Sequence, residues 1–143
     1  MINTKVSLSE LNKFAQNTLI SYIGIEITKL TEEKIHGKMP VDQRTHQPMG
    51  ILHGGASVCL AETLGSIGSS LCIDQSTHFP VGLEINANHV KSVSSGYVYG
   101  EATLIHCGKK THIWDIRINN EQNELVCISR LTVAIVEKKR QAV

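Results

Sequence analysis

Residues 50–70 read GILHGGASVCLAETLGSIGSS and hold one charged side chain, Glu62, among small and apolar residues. On a helix, Glu62, Ser66, Ser69 and Ser70 fall at i, i+4, i+7 and i+8, a polar stripe on an otherwise apolar surface. Gly54 and Gly55 stand in the first turn of that helix, just after His53. The N–H groups of a first turn have no partner within the helix. With the positive end of the helix dipole they suit a developing oxyanion. A carboxylate can serve as base, nucleophile or acid, and glycine lets a ligand's carbonyl approach the backbone donors. Taken singly, each feature also has a plain structural reading. Glu62 can be an acid paired with an arginine, and the glycines can serve a tight turn.

These residues need a scaffold. The 143-residue chain is the length of one domain, 1–143, able to bury a sizeable core. Ser7 and Glu10 form an S-x-x-E capping box, and Leu8, Leu11, Ala15 and Leu19 follow at helical spacing. They predict a first helix running to about Tyr22, with Gly24 beyond its end. Short strands are expected over 24–30 and 34–39, then a polar loop with Pro48 and Gly50. After the central helix, residues 79–91, 97–107, 111–119 and 124–136 are rich in β-branched residues and separated by turn sequences. Trp114, Ile116 and Ile118 alternate with Asp115 and Arg117, as on a strand with one buried face. The order predicts an α+β fold in which an antiparallel meander wraps a helix buried all round.

The segment QPMGILHGGASVCLAETLGS (47–66) resembles the active-site segment of the hotdog-fold acyl-CoA thioesterases. Within that family it is most similar to the bacterial group of 1,4-dihydroxy-2-naphthoyl-CoA hydrolases and enterobactin-pathway proofreading thioesterases. MPVDQRTHQP, VGLEINANHV and SRLTVAI extend the likeness over 39–136. The resemblance implies a hotdog fold, a long central helix wrapped by antiparallel sheet. It implies hydrolysis of acyl-CoA thioesters, aromatic ones first, as in menaquinone biosynthesis, without a cofactor. Carried over residue by residue, the Gly54 N–H polarises the thioester carbonyl, and Glu62 attacks that carbon or activates a water. Gln47 and His53 orient thioester and water. Ser66 sits beside the acyl carbonyl or the attacking water. His89 lines the acyl pocket, although a strand histidine satisfied by its neighbours is an equal reading.

Other features narrow the field. Fourteen basic and 13 acidic residues, net charge +1, leave no footprint for nucleic acid or an anionic membrane. MINTKVSLSE has no apolar signal core, so a cytoplasmic location is expected. Residues 54–73 are too polar to cross a membrane, with Glu62 at mid-span. Cys59, Cys72, Cys107 and Cys127 are scattered without a CxxC and read as reduced core thiols. The seven histidines show no metal-ligand spacing, so no metal is expected. HFP at 78–80 resembles a dehydratase motif of the hotdog fold but follows the acid-bearing helix, where that motif would precede it. GKKT at 108–111 lacks the first glycine of a P-loop. Lys109 and Lys110 suit the phosphates of coenzyme A or plain solvation, and Lys91 and Arg130 share that ambiguity.

Two alternatives remain at this level: a thioesterase that clears aryl or acyl groups from a carrier protein, and a non-catalytic acyl-CoA-binding module. A binding module has no use for an acid beside the thioester. Spacing adds one constraint. Gly54 and Glu62 lie eight residues apart on one helix, about 12 Å at 1.5 Å per residue. Reacting atoms must meet within about 3–3.5 Å. The expected assembly is therefore a homodimer with shared active sites, either alone or paired into a tetramer as a dimer of dimers.

Overall fold

The computed structural model describes residues 1–139. Helix α1 spans Leu8–Phe14, and its capping box is formed: Ser7 Oγ accepts from the Glu10 N–H, and the Glu10 carboxylate accepts from the Ser7 N–H. The single helix expected to Tyr22 is broken in two. Asn17 adopts φ 60°, a left-handed conformation that ends a helix and that asparagine tolerates. Thr18 then starts helix α2, Leu19–Tyr22.

Six strands follow around one long helix. They are β1 Glu26–Leu30, β2 Lys34–Pro40, β3 His78–His89, β4 Tyr97–Cys107, β5 Thr111–Asn120 and β6 Leu125–Glu137, with helix α3 over Gly54–Ser70 between β2 and β3. All pairings are antiparallel, in the order β1-β2-β4-β5-β6-β3. The expected meander holds for β4-β5-β6 and fails for β3. That strand follows α3 in sequence but pairs with β6 at the far edge, while β4 returns to pair with β2. The rearrangement carries the sheet around α3, which touches every strand from β2 to β6.

Packing explains why α3 is rich in small residues. Its buried face is Ser57, Leu60, Ala61, Leu64, Gly65, Gly68 and Ser69. A Cβ on Gly65 would stand 2.5 Å from Leu131 Cδ2, and one on Gly68 would stand 2.5 Å from Trp114 Cη2. The sheet approaches so closely that nothing larger than glycine fits at either position. Trp114 is fully buried, and its indole N–H donates to Ser69 Oγ at 2.8 Å. Trp114, Ile116 and Ile118 all lie in the core, as their alternation predicts. The helix is not buried all round, however. Within one chain Cys59, Glu62, Thr63, Ser66, Ile67 and Ser70 remain half-buried.

The cysteines divide likewise. Cys127 is a core residue, Cys59 and Cys72 are half-buried, and Cys107 is exposed at the end of β4, outside the core expected for it. Burial pushes the Cys72 thiol up to about 11, with Cys107 beside it adding to the shift. No helix among the described residues is long and apolar enough to cross a membrane.

Candidate active site at the N-terminus of the central helix

The chain enters α3 through a tight turn. Thr45 and His46 N–H groups donate to the Asp42 carbonyl at 2.9 Å each, and the Gly50 N–H donates to the Gln47 carbonyl at 2.9 Å. Gly50 has φ +77°, a conformation glycine adopts without strain. Gln47 Oε1 accepts from the Met49 N–H, which holds the carboxamide in place. His53 is the N-cap, and its Nδ1 accepts the Gly55 N–H at 2.8 Å. The neutral ring therefore carries its proton on Nε2. This bond corrects the expectation of two free donors at the helix start, because the Gly55 N–H is occupied. The Gly54 N–H makes no hydrogen bond among the described residues.

Gln47, Gly54 and His89 line one cleft of about 370 Å³, together with Ser57, Lys91 and Val126. His89 comes from the last residue of β3, and its ring lies over Gly54: a Cβ there would meet His89 Nε2 at 2.7 Å. A side chain at position 54 would collide with the imidazole, so glycine lets both the ring and a ligand reach the backbone. Lys91 borders the cleft, but its Nζ is paired with Glu124 at 2.8 Å. Lys109 and Lys110 are exposed in the β4–β5 turn. Lys109 borders a separate cavity near the C-terminal end of α3, so the single chain does not bring these two lysines to Gly54.

Glu62 stands apart as well. It lies two turns further along α3, about 12 Å from Gly54 by helical rise. Its carboxylate faces Gly82 of β3, where a Cβ would come within 2.5 Å of Glu62 Oε1. Its charge also adds to the burial that raises the Cys59 thiol. The polar stripe expected around Glu62 survives only in part. Ser69 is turned inward as the acceptor of Trp114, and Ser70 Oγ donates to the Ile67 carbonyl at 2.7 Å. Ser66 alone remains one turn from Glu62 without a side-chain bond among the described residues. Gly82 is the residue that sequence reasoning missed. A glycine inside a strand is a signal of close approach, and here the approaching group is the carboxylate.

The N-terminus of α3 thus presents an unpaired N–H with a carboxamide and an imidazole beside it. A carboxylate sits further down the same helix, next to an open sheet edge. That edge is β3, whose outer side pairs with nothing among the described residues. Phe79, Val81 and Leu83 on it are 41%, 41% and 62% exposed. An unpaired apolar edge is uncommon on a monomeric protein.

Residues 49–127 match the sequence profile of the Thioesterase superfamily. The chain is 42% identical over 132 residues to 1,4-dihydroxy-2-naphthoyl-CoA hydrolase of Escherichia coli, covering 92% of this chain and 96% of the relative. It is 44% identical over 131 residues to the proofreading thioesterase EntH of Cronobacter turicensis, covering 92% and 95%. A crystal structure of a thioesterase of Pseudomonas aeruginosa, a glutamine-to-alanine mutant, superposes with TM-score 0.94 at 45% identity over 96% of this chain and 99% of that one. With a profile match over more than half its length and relatives similar over more than nine-tenths of both chains, the chain belongs to the thioesterase superfamily, as a thioester hydrolase of the hotdog fold.

Proposed function

We propose that the protein hydrolyses aromatic acyl-CoA thioesters at sites shared between two subunits. The observation that carries this reading is the separation on α3. The unpaired Gly54 N–H lines a cleft with Gln47 and His89, while Glu62 stands about 12 Å away along the helix beside β3. A two-fold axis that joins two β3 edges would cover their apolar side chains. With the helices antiparallel, each Gly54 would lie opposite the partner subunit's Glu62.

At such a site the Gly54 N–H donates to the thioester oxygen and is strengthened by the helix dipole. Glu62 from the other subunit either removes a proton from an attacking water or attacks the carbonyl carbon itself, giving an anhydride that water then opens. In both routes the C–S bond breaks, the thiol sulfur leaves as a thiolate and the acid is released. A thioester has little resonance stabilisation and a good leaving group, so one oxyanion donor, worth about 2.7–4 kcal/mol, carries much of the work. Gln47 and His53 orient thioester and water, Ser66 stands beside the reacting carbon, and His89 contacts the acyl group. Lys91, Lys109 and Lys110 are the cations offered to the phosphates of coenzyme A.

The similarity to a 1,4-dihydroxy-2-naphthoyl-CoA hydrolase supports a CoA-bound aromatic acyl group. The similarity to a proofreading thioesterase favours a second reading, release of misloaded acyl groups from a carrier protein. A substrate panel separates them. Benzoyl- and naphthoyl-CoA, fatty acyl-CoAs and acyl-carrier proteins are compared by kcat/KM with a thiol-trapping dye. The expected order puts aromatic CoA esters first, with rates unchanged by a chelator. A kcat abolished by chelation at unchanged KM and thermal midpoint, and restored by zinc, would overturn hydrolysis without metal, and carrier-bound substrates leading the panel would favour the second reading.

Gly82 supplies an independent test of Glu62. In Gly82→Ala the new methyl group would take the space of Glu62 Oε1, and the carboxylate must move. Displacement of a reacting group by about 1 Å can cost a hundredfold. The expected result is a kcat lowered by about that factor with little change in KM or thermal midpoint. Unchanged kcat would mean that the position of this carboxylate does not matter to catalysis.

A further inference from the structure

Three residues that hydrolysis does not use converge at the other end of α3. Cys72 lies two residues beyond the helix and is anchored by its N–H to the Ser69 carbonyl at 3.1 Å. Cys107 and His112 face each other across the β4–β5 ladder, joined by the Gly108-Lys109-Lys110 turn. One ligand atom from each of the three lies within 4.8 Å of the other two. His112 is 1% exposed. Its Nε2 stands 3.5 Å from Cys107 Sγ.

We infer that Cys72, Cys107 and His112 form a binding site for a thiophilic divalent cation of the zinc(II) class. The chemistry of the donor set is that of zinc, two thiolates and one imidazole. Zinc bonds of about 2.3 Å to sulfur and 2.0–2.1 Å to nitrogen at the tetrahedral angle place S and N about 3.5 Å apart. The Cys107–His112 pair already stands at that separation. A tetrahedral S–S edge is about 3.8 Å, so closing the remaining contacts from within 4.8 Å takes a shift of about 1.3 Å at most. Cys107-x4-His112 is also a ligand spacing that a tight hairpin supports, and Cys72 completes the set from a different element.

Binding releases the thiol protons of Cys72 and Cys107 to solvent and uses the Nε2 lone pair of His112. Cys72, Cys107 and His112 line a cavity of about 420 Å³ bordered also by Asp74, Thr77 and His78, which leaves room for water as a fourth ligand. A bound ion would tie the C-terminal end of α3 to the turn that carries Lys109 and Lys110. The site is distinct from the catalytic one: Ser70, the last residue of α3, lies about 24 Å from Gly54 and about 12 Å from Glu62 at helical rise, and Cys72 lies beyond it.

The test titrates the full-length protein, reduced with a phosphine, with cobalt(II) and then zinc(II). The expected result is a thiolate-to-cobalt charge-transfer band and the visible bands of tetrahedral cobalt, saturating at one ion per chain and bleached by zinc. Cys107 is exposed, so Cys107→Ser should fold as the parent does. It should lose most of the charge-transfer intensity and weaken zinc binding by more than about a hundredfold, since even outer-sphere partners of a metal site are worth about 10–100-fold. Cys59→Ser should bind as the parent does. No charge-transfer band in the parent protein, or a band of equal intensity in Cys107→Ser, would overturn the site.

Discussion

Glu62→Gln is expected to lower kcat by about a hundred- to ten-thousand-fold, the range over which a positioned acid–base group contributes. The amide fills the same volume beside Gly82 and still forms hydrogen bonds, but it can neither take a proton from water nor attack a carbonyl. In the single chain Glu62 is half-buried, and no ion pair to it is formed among the described residues. Loss of its charge therefore breaks no structural salt bridge, and the thermal midpoint should stay within a few degrees of the parent. The check is kcat measured beside a melt on the same preparation. A fully active Glu62→Gln protein would return the residue to a structural role and remove the carboxylate from the mechanism.

Restoration of activity by mixing two dead proteins is the second large effect expected. Glu62→Gln lacks the carboxylate. A His53 variant lacks the N-cap that accepts the Gly55 N–H and, with it, the local order around Gly54. In a site built from Gly54 of one subunit and the partner subunit's Glu62, each hybrid dimer holds one intact site and one doubly damaged site. With free exchange half the dimers are hybrids, so about a quarter of all sites should recover. Mass spectrometry establishes the hybrid fraction. If hybrids form and the mixture stays inactive, the two halves of the site belong to one chain and the shared arrangement is wrong.

The sequence by itself determined what depends on near neighbours. The capping box of Ser7 and Glu10, the His53-led start of α3 and the inward row of Trp114, Ile116 and Ile118 are all present as read. Capping and periodicity are settled within a few residues of chain. The spacing of Gly54 and Glu62 belongs to the same class, because helical rise alone separates them. Other features were decided by contacts between distant segments. The pairing of β3 with β6, the His89 ring over Gly54 and the Gly82 backbone against Glu62 follow from sheet order and register, which no local pattern encodes. Ser69 looked like part of an open polar stripe, but the docking of β5 made it the acceptor of a buried indole. Asn17 split a helix that the leucine spacing would have continued. Cys72, Cys107 and His112 read as unrelated residues until the end of α3 met the β4–β5 turn. Side-chain period is a property of one element, whereas a site is a property of how elements pack, and only the folded chain supplies that.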